Sequence, residues 1–219
     1  MLFSDPVAGP AETMVADLRD YPEWHRGRER YGVWVVPVWD AALLDYIEAS
    51  RAQLADLIHP SPRRQPHLTL FVCGFHGDGD RDDDFPPARL EQQLASLHAG
   101  AGMASVLPLA PPDSFASAAF IPVGDPLGRL AQWRLLLEAA GREIRPSAYV
   151  PHITLGLYRR CVSGDIIRQR LAALAPPPPM MVVGELEYVT YAACDQLGPL
   201  HTMHRVALDT ASTITPVSP

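Results

Sequence analysis

Two pentapeptides 85 residues apart constrain the fold of this 219-residue chain more than any other feature. They are Pro66-His67-Leu68-Thr69-Leu70 and Pro151-His152-Ile153-Thr154-Leu155. Each alternates polar and apolar residues, the pattern of a half-buried β-strand. Side chains at i and i+2 of a strand share a face, so His67 goes with Thr69 and His152 with Thr154. The proline before each histidine favours the extended backbone from which a strand begins.

The same offset relates a second pair of landmarks. Val36-Pro37-Val38-Trp39-Asp40 corresponds to Ile121-Pro122-Val123-Gly124-Asp125. Both apolar runs end in Pro-Val-x-Asp, and each Asp is expected to be a helix N-cap, accepting from first-turn N–H groups. Helical spacing follows: Leu43, Leu44, Ile47, Leu54, Leu57 and Ile58 after Asp40, then Leu127, Leu130, Trp133, Leu137 and Ala140 after Asp125. Gly141 is the expected stop of the second helix. The chain therefore reads as a duplicated strand–helix–strand unit whose last strand carries His-x-Thr.

Around this repeat the expected elements run in order. Residues 11–20 read as a short helix, 31–39 as a strand, 41–58 as a helix and 67–74 as the first motif strand. A helix with Leu90, Leu94 and Leu97 on one face ends near Gly100, and a short strand covers 103–109. The second half gives a strand at 114–123, a helix at 126–140, the second motif strand at 152–158 and a helix at 164–174. Pro176 to Pro179 form a stiff connector, and two strands close the chain at 180–193 and 201–209. The expected class is α+β: one bilobal unit over residues 1–219, with lobe 1 at about 31–110 and lobe 2 at about 111–209. Strands are allowed to swap between the lobes, because no Gly/Ser linker separates them.

Composition narrows the functional classes. A hydrophobic content of 47% with 20% charged residues is that of a soluble globular protein. The net charge of −7 argues against coating of nucleic acid, which rests on many phosphate neutralisations, but permits a small nucleotide in a locally basic cleft. The three cysteines have no metal-ligand spacing and read as those of a cytoplasmic chain. The start has no signal-peptide pattern, and no apolar run reaches a membrane-spanning length.

Residues 25–30 (HRGRER) read as a solvated basic face. The acidic stretch at 78–84 fails as an EF-hand loop, with Asp83 at the glycine position and Arg89 at the closing glutamate position, and reads as an exposed loop. His201 and His204 lie in a strand-like segment where i and i+3 face opposite sides, so no metal site is expected. Phosphate-cradling, dinucleotide-binding and serine-nucleophile motifs are absent from the sequence.

Two imidazoles around one cleft can share one proton at neutral pH, one taking a proton from water and the other giving one to a leaving alkoxide. The two threonine hydroxyls can donate to non-bridging phosphate oxygens. This paired His-x-Thr arrangement in a duplicated α/β chain resembles the 2H phosphoesterase superfamily, which includes 2′-5′ RNA ligase-like proteins and cyclic phosphodiesterases. The resemblance implies a pseudo-twofold axis through a central cleft lined by both motifs, with no metal and no cofactor. It implies cleavage of 2′,3′-cyclic phosphate or 2′-5′-linked nucleotides or RNA ends. His67, Thr69, His152 and Thr154 would be the catalytic set, with His67 as acid and His152 as base. A binding module of the same fold without turnover is the alternative. Family habit adds Trp34, Tyr149, Tyr158 and Arg145 as candidates for base stacking and phosphate holding; Tyr158 also continues the alternation from His152. The expected protein is a cytoplasmic monomer acting on a small nucleotide or RNA end, with no membrane and no obligate protein partner.

Overall fold

A computed structural model describes residues 2–5, 7–61, 63–144 and 148–209. In chain order the elements are α1 (Pro22–His25), β1 (Arg30–Pro37), α2 (Ala41–Gln53), β2 (His67–His76), β3 (Asp84–Phe85), α3 (Pro87–Gly100), β4 (Ser105–Pro108), β5 (Asp113–Ser114) and β6 (Ala118–Pro122). They continue with α4 (Arg129–Glu138), β7 (His152–Leu157), α5 (Gly164–Ala172), β8 (Met180–Val183), β9 (Glu185–Ala192) and β10 (His201–Ala207). The main sheet is open, in the order β10-β9-β1-β2-β7-β6-β5, and β4 pairs with β8 in a separate ribbon. Pairing is antiparallel throughout except for β3, which lies parallel to β2.

The buried sides of α2, α3, α4 and α5 meet one face of the sheet, where Leu43, Ile47, Leu97, Leu130, Trp133, Leu137 and Ile167 join Leu68, Leu70, Ile153 and Leu155 in one core. The opposite face carries a smaller apolar group of Val33, Val35, Val189 and Leu200. The motif histidines and threonines emerge on this second face, because Leu68 and Ile153 between them are committed to the core.

The duplication seen in the sequence is kept in the register. Pro37 pairs with His67 and Val35 with Thr69; Pro122 pairs with His152 and Phe120 with Thr154. Each equivalence is the same 85-residue shift. The two motif strands meet at Leu68↔Ile153, which are themselves equivalent residues, so a local twofold axis passes through that pair. Beyond it the strands fork. Ile144 N–H bonds the Val72 carbonyl beside β2, and His59 N–H bonds the Leu157 carbonyl beside β7, again at equivalent positions.

One feature of both strands is invisible to a period-two reading. The register slips between Trp34 and Val35 opposite β2, and between Ala119 and Phe120 opposite β7. Leu70 and Leu155 are thus the extra residues of two equivalent β-bulges. Burial follows the same course along both strands: the side chains of residues 67–72 and of 152–157 each alternate and then show two buried residues in succession. The bulged carbonyls accept from arginines of opposite halves. Arg134 on α4 donates to Leu70 O at 2.6 Å, and Arg51 on α2 donates to Leu155 O at 3.0 Å.

Several boundaries differ from expectation. Residues 11–20 form no helix; their backbone bonds to Val162, Ala116 and Tyr158 instead, which extends the segment along the second half. The expected strand at 180–193 breaks at Gly184 into β8 and β9, which serve different sheets. The strand at 114–123 is interrupted by a turn in which Phe115 N–H bonds Ala118 O. Asp40 caps α2 through Leu43 N–H at 2.8 Å, whereas Asp125 lies a turn before α4 and reaches Ala131 N–H at 3.0 Å.

The basic run is not simply solvated. Arg28 pairs with Asp83 and Asp84 at 2.5 and 2.7 Å and lies over the Phe75 ring, tying the acidic loop to the sheet. The hydrogen bond from Arg28 holds the Asp83 carboxyl below its ordinary range. Among the described residues no helix is long and apolar enough to cross a membrane.

Arg134 also pairs with Glu143, whose side chain is 8% exposed, whereas the Glu48 partner of Arg51 is 71% exposed. Arg134→Leu should therefore cost about 3 kcal/mol and Arg51→Leu about 1–2 kcal/mol, because only the first takes the cationic partner from a buried carboxylate, which also accepts from Val72 N–H at 2.9 Å. Urea unfolding checks this; equal losses would contradict it.

Candidate active site

Each motif histidine is fixed by its own backbone. His67 Nδ1–H donates to Gln65 O and His152 Nδ1–H to Val150 O, both at 2.7 Å. A carbonyl oxygen only accepts, so Nδ1 carries the proton in both rings, and Nε2 is the basic nitrogen of each neutral imidazole. The two short anchors occupy equivalent places in the duplication.

His67 and Thr154 come from different halves and line one small cavity of about 40 Å³ in the fork between β2 and β7. Arg64, Gln65 and Leu197 also line it. Burial pushes the His67 pKa down to about 4. Its bond to Gln65 works against this shift, and Arg64, His152 and Arg51 reinforce it. His67 is thus neutral at pH 7 in the free protein. His152 sits edge-on to Phe115 at 5.1 Å and against Phe120 at 5.1 Å, and those two rings stack at 4.3 Å.

The four residues expected in addition to the motifs have different places. Tyr149 stands beside the first motif: its hydroxyl donates to Thr69 O at 3.2 Å and the Arg134 guanidinium lies 3.9 Å from its ring centre. Trp34 is a correction. Its side chain is fully buried, its indole N–H donates to Gln93 Oε1 at 2.7 Å, and it lies on the core face where no base can stack. Tyr158 is a second correction. The bulge at Leu155 breaks the alternation, so Tyr158 turns into the core and bonds Ser114 Oγ at 2.7 Å. Burial pushes its phenol up to about 12. Arg145 lies outside the described residues.

Arg64 is the cation that motif reasoning passed over. It lies over the Tyr191 ring at 4.4 Å, bonds the Gln196 carbonyl, and makes no ion pair among the described residues. Burial lowers its pKa. The only sequence signal was the Arg63-Arg64 pair just upstream of the first motif. Among the described residues no group of three or more His, Cys, Asp or Glu is placed to hold a metal ion.

Residues 38–193 match the 2′-5′ RNA ligase superfamily, also described as 2H phosphoesterases. The chain belongs to this superfamily. Similar solved structures agree on the fold. E. coli LigT complexed with 3′-AMP superposes with a TM-score of 0.58 at 15% identity, covering 83% of this chain and 99% of that one. A conserved protein of unknown function from Agrobacterium tumefaciens gives 0.59 at 14% identity, with coverage of 83% and 87%. A Thermus thermophilus protein gives 0.51 at 18% identity, with coverage of 83% and 100%. No curated protein sequence matches.

The depressed His67 pKa has a consequence for stability. The unfolded imidazole titrates near 6.5, so below that pH the unfolded chain binds the proton more readily than the folded one. Stability present above pH 6.5 is therefore lost as pH falls towards about 4. His67→Gln should flatten this part of the pH–stability curve; a superimposable slope in both proteins would contradict the burial of a neutral His67.

Proposed function

We propose that the protein is a phosphodiesterase acting on 2′,3′-cyclic phosphates or 2′-5′-linked nucleotides, small substrates or RNA ends. The observation that supports this best is the pair of equivalent imidazoles, each locked in the Nδ1–H tautomer and each two residues before a threonine. The LigT complexes with 3′-AMP and with phosphate support a nucleotide phosphate as ligand.

The roles follow from charge. A histidine with a pKa of about 4 is a base at neutral pH, so His67 takes a proton from water as that water attacks phosphorus. His152, entering as imidazolium, gives its proton to the departing O3′, leaving a 2′-phosphate. This inverts the assignment implied by the sequence resemblance. His67 ends protonated and His152 neutral, and exchange with solvent restores both. Thr154, which shares the cavity with His67, and Thr69 donate hydroxyl hydrogen bonds to non-bridging oxygens, while Arg64 offsets the charge building there.

The test is turnover of nucleoside 2′,3′-cyclic monophosphates in excess chelator, with the product identified by phosphorus NMR. The expected product is the 2′-phosphate, with activity retained in chelator. His67→Ala and His152→Ala should each lower kcat by about 100-fold or more. The acid limb of kcat/KM should lie near pH 4, the value set by burial of His67. A wild-type protein that binds these nucleotides and 2′-5′-linked dinucleotides but turns over neither would be a binding module instead.

A further inference from the structure

The two motif histidines have equivalent anchors, but what holds those anchors differs. Arg63, Arg64 and Gln65, which lead into Pro66-His67, all bond to the loop between β9 and β10. Arg63 pairs with Asp195 at 2.8 Å. Arg64 donates to the Gln196 carbonyl. The Gln65 side chain bonds Leu200 twice, donating to its carbonyl at 3.1 Å and accepting from its N–H at 2.8 Å. The Gln65 carbonyl is the one that accepts from His67 Nδ1–H. Leu197 of the same loop walls the cavity that His67 lines. In the second half the equivalent residues are Ala148, Tyr149 and Val150. Ala148 and Val150 carry no hydrogen-bonding side chain, and the Tyr149 hydroxyl bonds back onto β2 at Thr69 O. The β9–β10 loop lies outside the duplication, and residues 194–200 follow the stretch that matches the superfamily.

We propose that the β9–β10 loop makes His67 the proton acceptor of the pair, with Gln65 as the positioning residue through which it acts and Leu197 as the wall that shields the ring. The proposal rests on the phosphodiesterase reading, which gives the acceptor its role. An amide bonded to both backbone groups of one residue fixes Gln65, and with it the carbonyl on which the His67 ring hangs. A ring held against the loop is shielded from water, and burial disfavours its charged form. Burial is the largest cause of the lowered His67 pKa. The charged and titratable groups acting on His67 are Arg64 from its own segment, His152 from β7 and Arg51 from α2, and all three push the same way. Arg64 is itself faced by Tyr191 and Asp195. A loop outside the repeat thus assigns different roles to two like motifs.

NMR titration of the two motif imidazoles in the full chain tests this. In the wild type His67 should titrate at about 4. Gln65→Ala and Leu197→Ala should each move it at least halfway towards the ordinary 6.5, with His152 unmoved. The acid limb of kcat/KM for a nucleoside 2′,3′-cyclic monophosphate should rise with it, so activity that the variants lose at about pH 5 returns at about pH 8. A protein that was merely loosened would lose activity at both. His67 still titrating at about 4 in both variants, or the two imidazoles moving together, would overturn the proposal. Gln65→Ala leaves both Leu200 backbone groups without their partner, so thermal melts come first. Leu197 is only half-buried, and Leu197→Ala carries the test should Gln65→Ala fail to fold. A wild type that turns over neither cyclic phosphates nor 2′-5′-linked dinucleotides would remove the phosphodiesterase reading, and the acceptor role of His67 with it. The titration would still decide whether the loop holds the ring.

Discussion

Two arginine-to-carbonyl hydrogen bonds hold the geometry on which the site depends. Arg134 and Arg51 each reach across from one half of the duplication and bond the carbonyl of the bulged leucine in the other half's motif strand. A bulge leaves backbone groups without ladder partners, and burying such a group unpaired is costly. The arginines meet that need and make the halves mutually dependent. Each bulge sits directly after a His-x-Thr, so it lets the strand change face just after presenting its two functional side chains. The result is a strand that alternates cleft and core up to the threonine and then resumes with the opposite parity.

The same economy governs the histidines. A carbonyl two residues upstream fixes each ring and its tautomer, so no separate carboxylate is needed to orient it. What distinguishes the rings is their surroundings. His67 sits among Arg64, Arg51 and His152 in a tight fork, whereas His152 stands against Phe115 and Phe120. A duplicated scaffold therefore presents two imidazoles in different surroundings.

The sequence revealed what depends on period and repetition. The offset between Pro-Val-x-Asp and His-x-Thr carried through to the pairing of Pro37 with His67 and Pro122 with His152. It did not reveal the bulges, because an inserted Leu in an apolar strand looks like any other core residue. That one omission misplaced Tyr158. Trp34 was misplaced for another reason: an aromatic residue in a strand reads the same whether its face is wet or dry, and it is the burial of Trp34 and its bond to Gln93 in the fold that identify it as core. Arg64 and Tyr191 come together through tertiary structure alone, from separate stretches of chain.

The motif strands pair at one position, Leu68 with Ile153, before they diverge. The spacing between the two motif imidazoles thus depends on the bulk of two aliphatic side chains on the buried side of the sheet. A change in volume there would move both imidazoles together, in mirrored senses about the axis, without touching either. The width of the cleft in such a scaffold is a property of its oil-filled side, and it can be retuned from beneath while every polar group in the cleft keeps its identity.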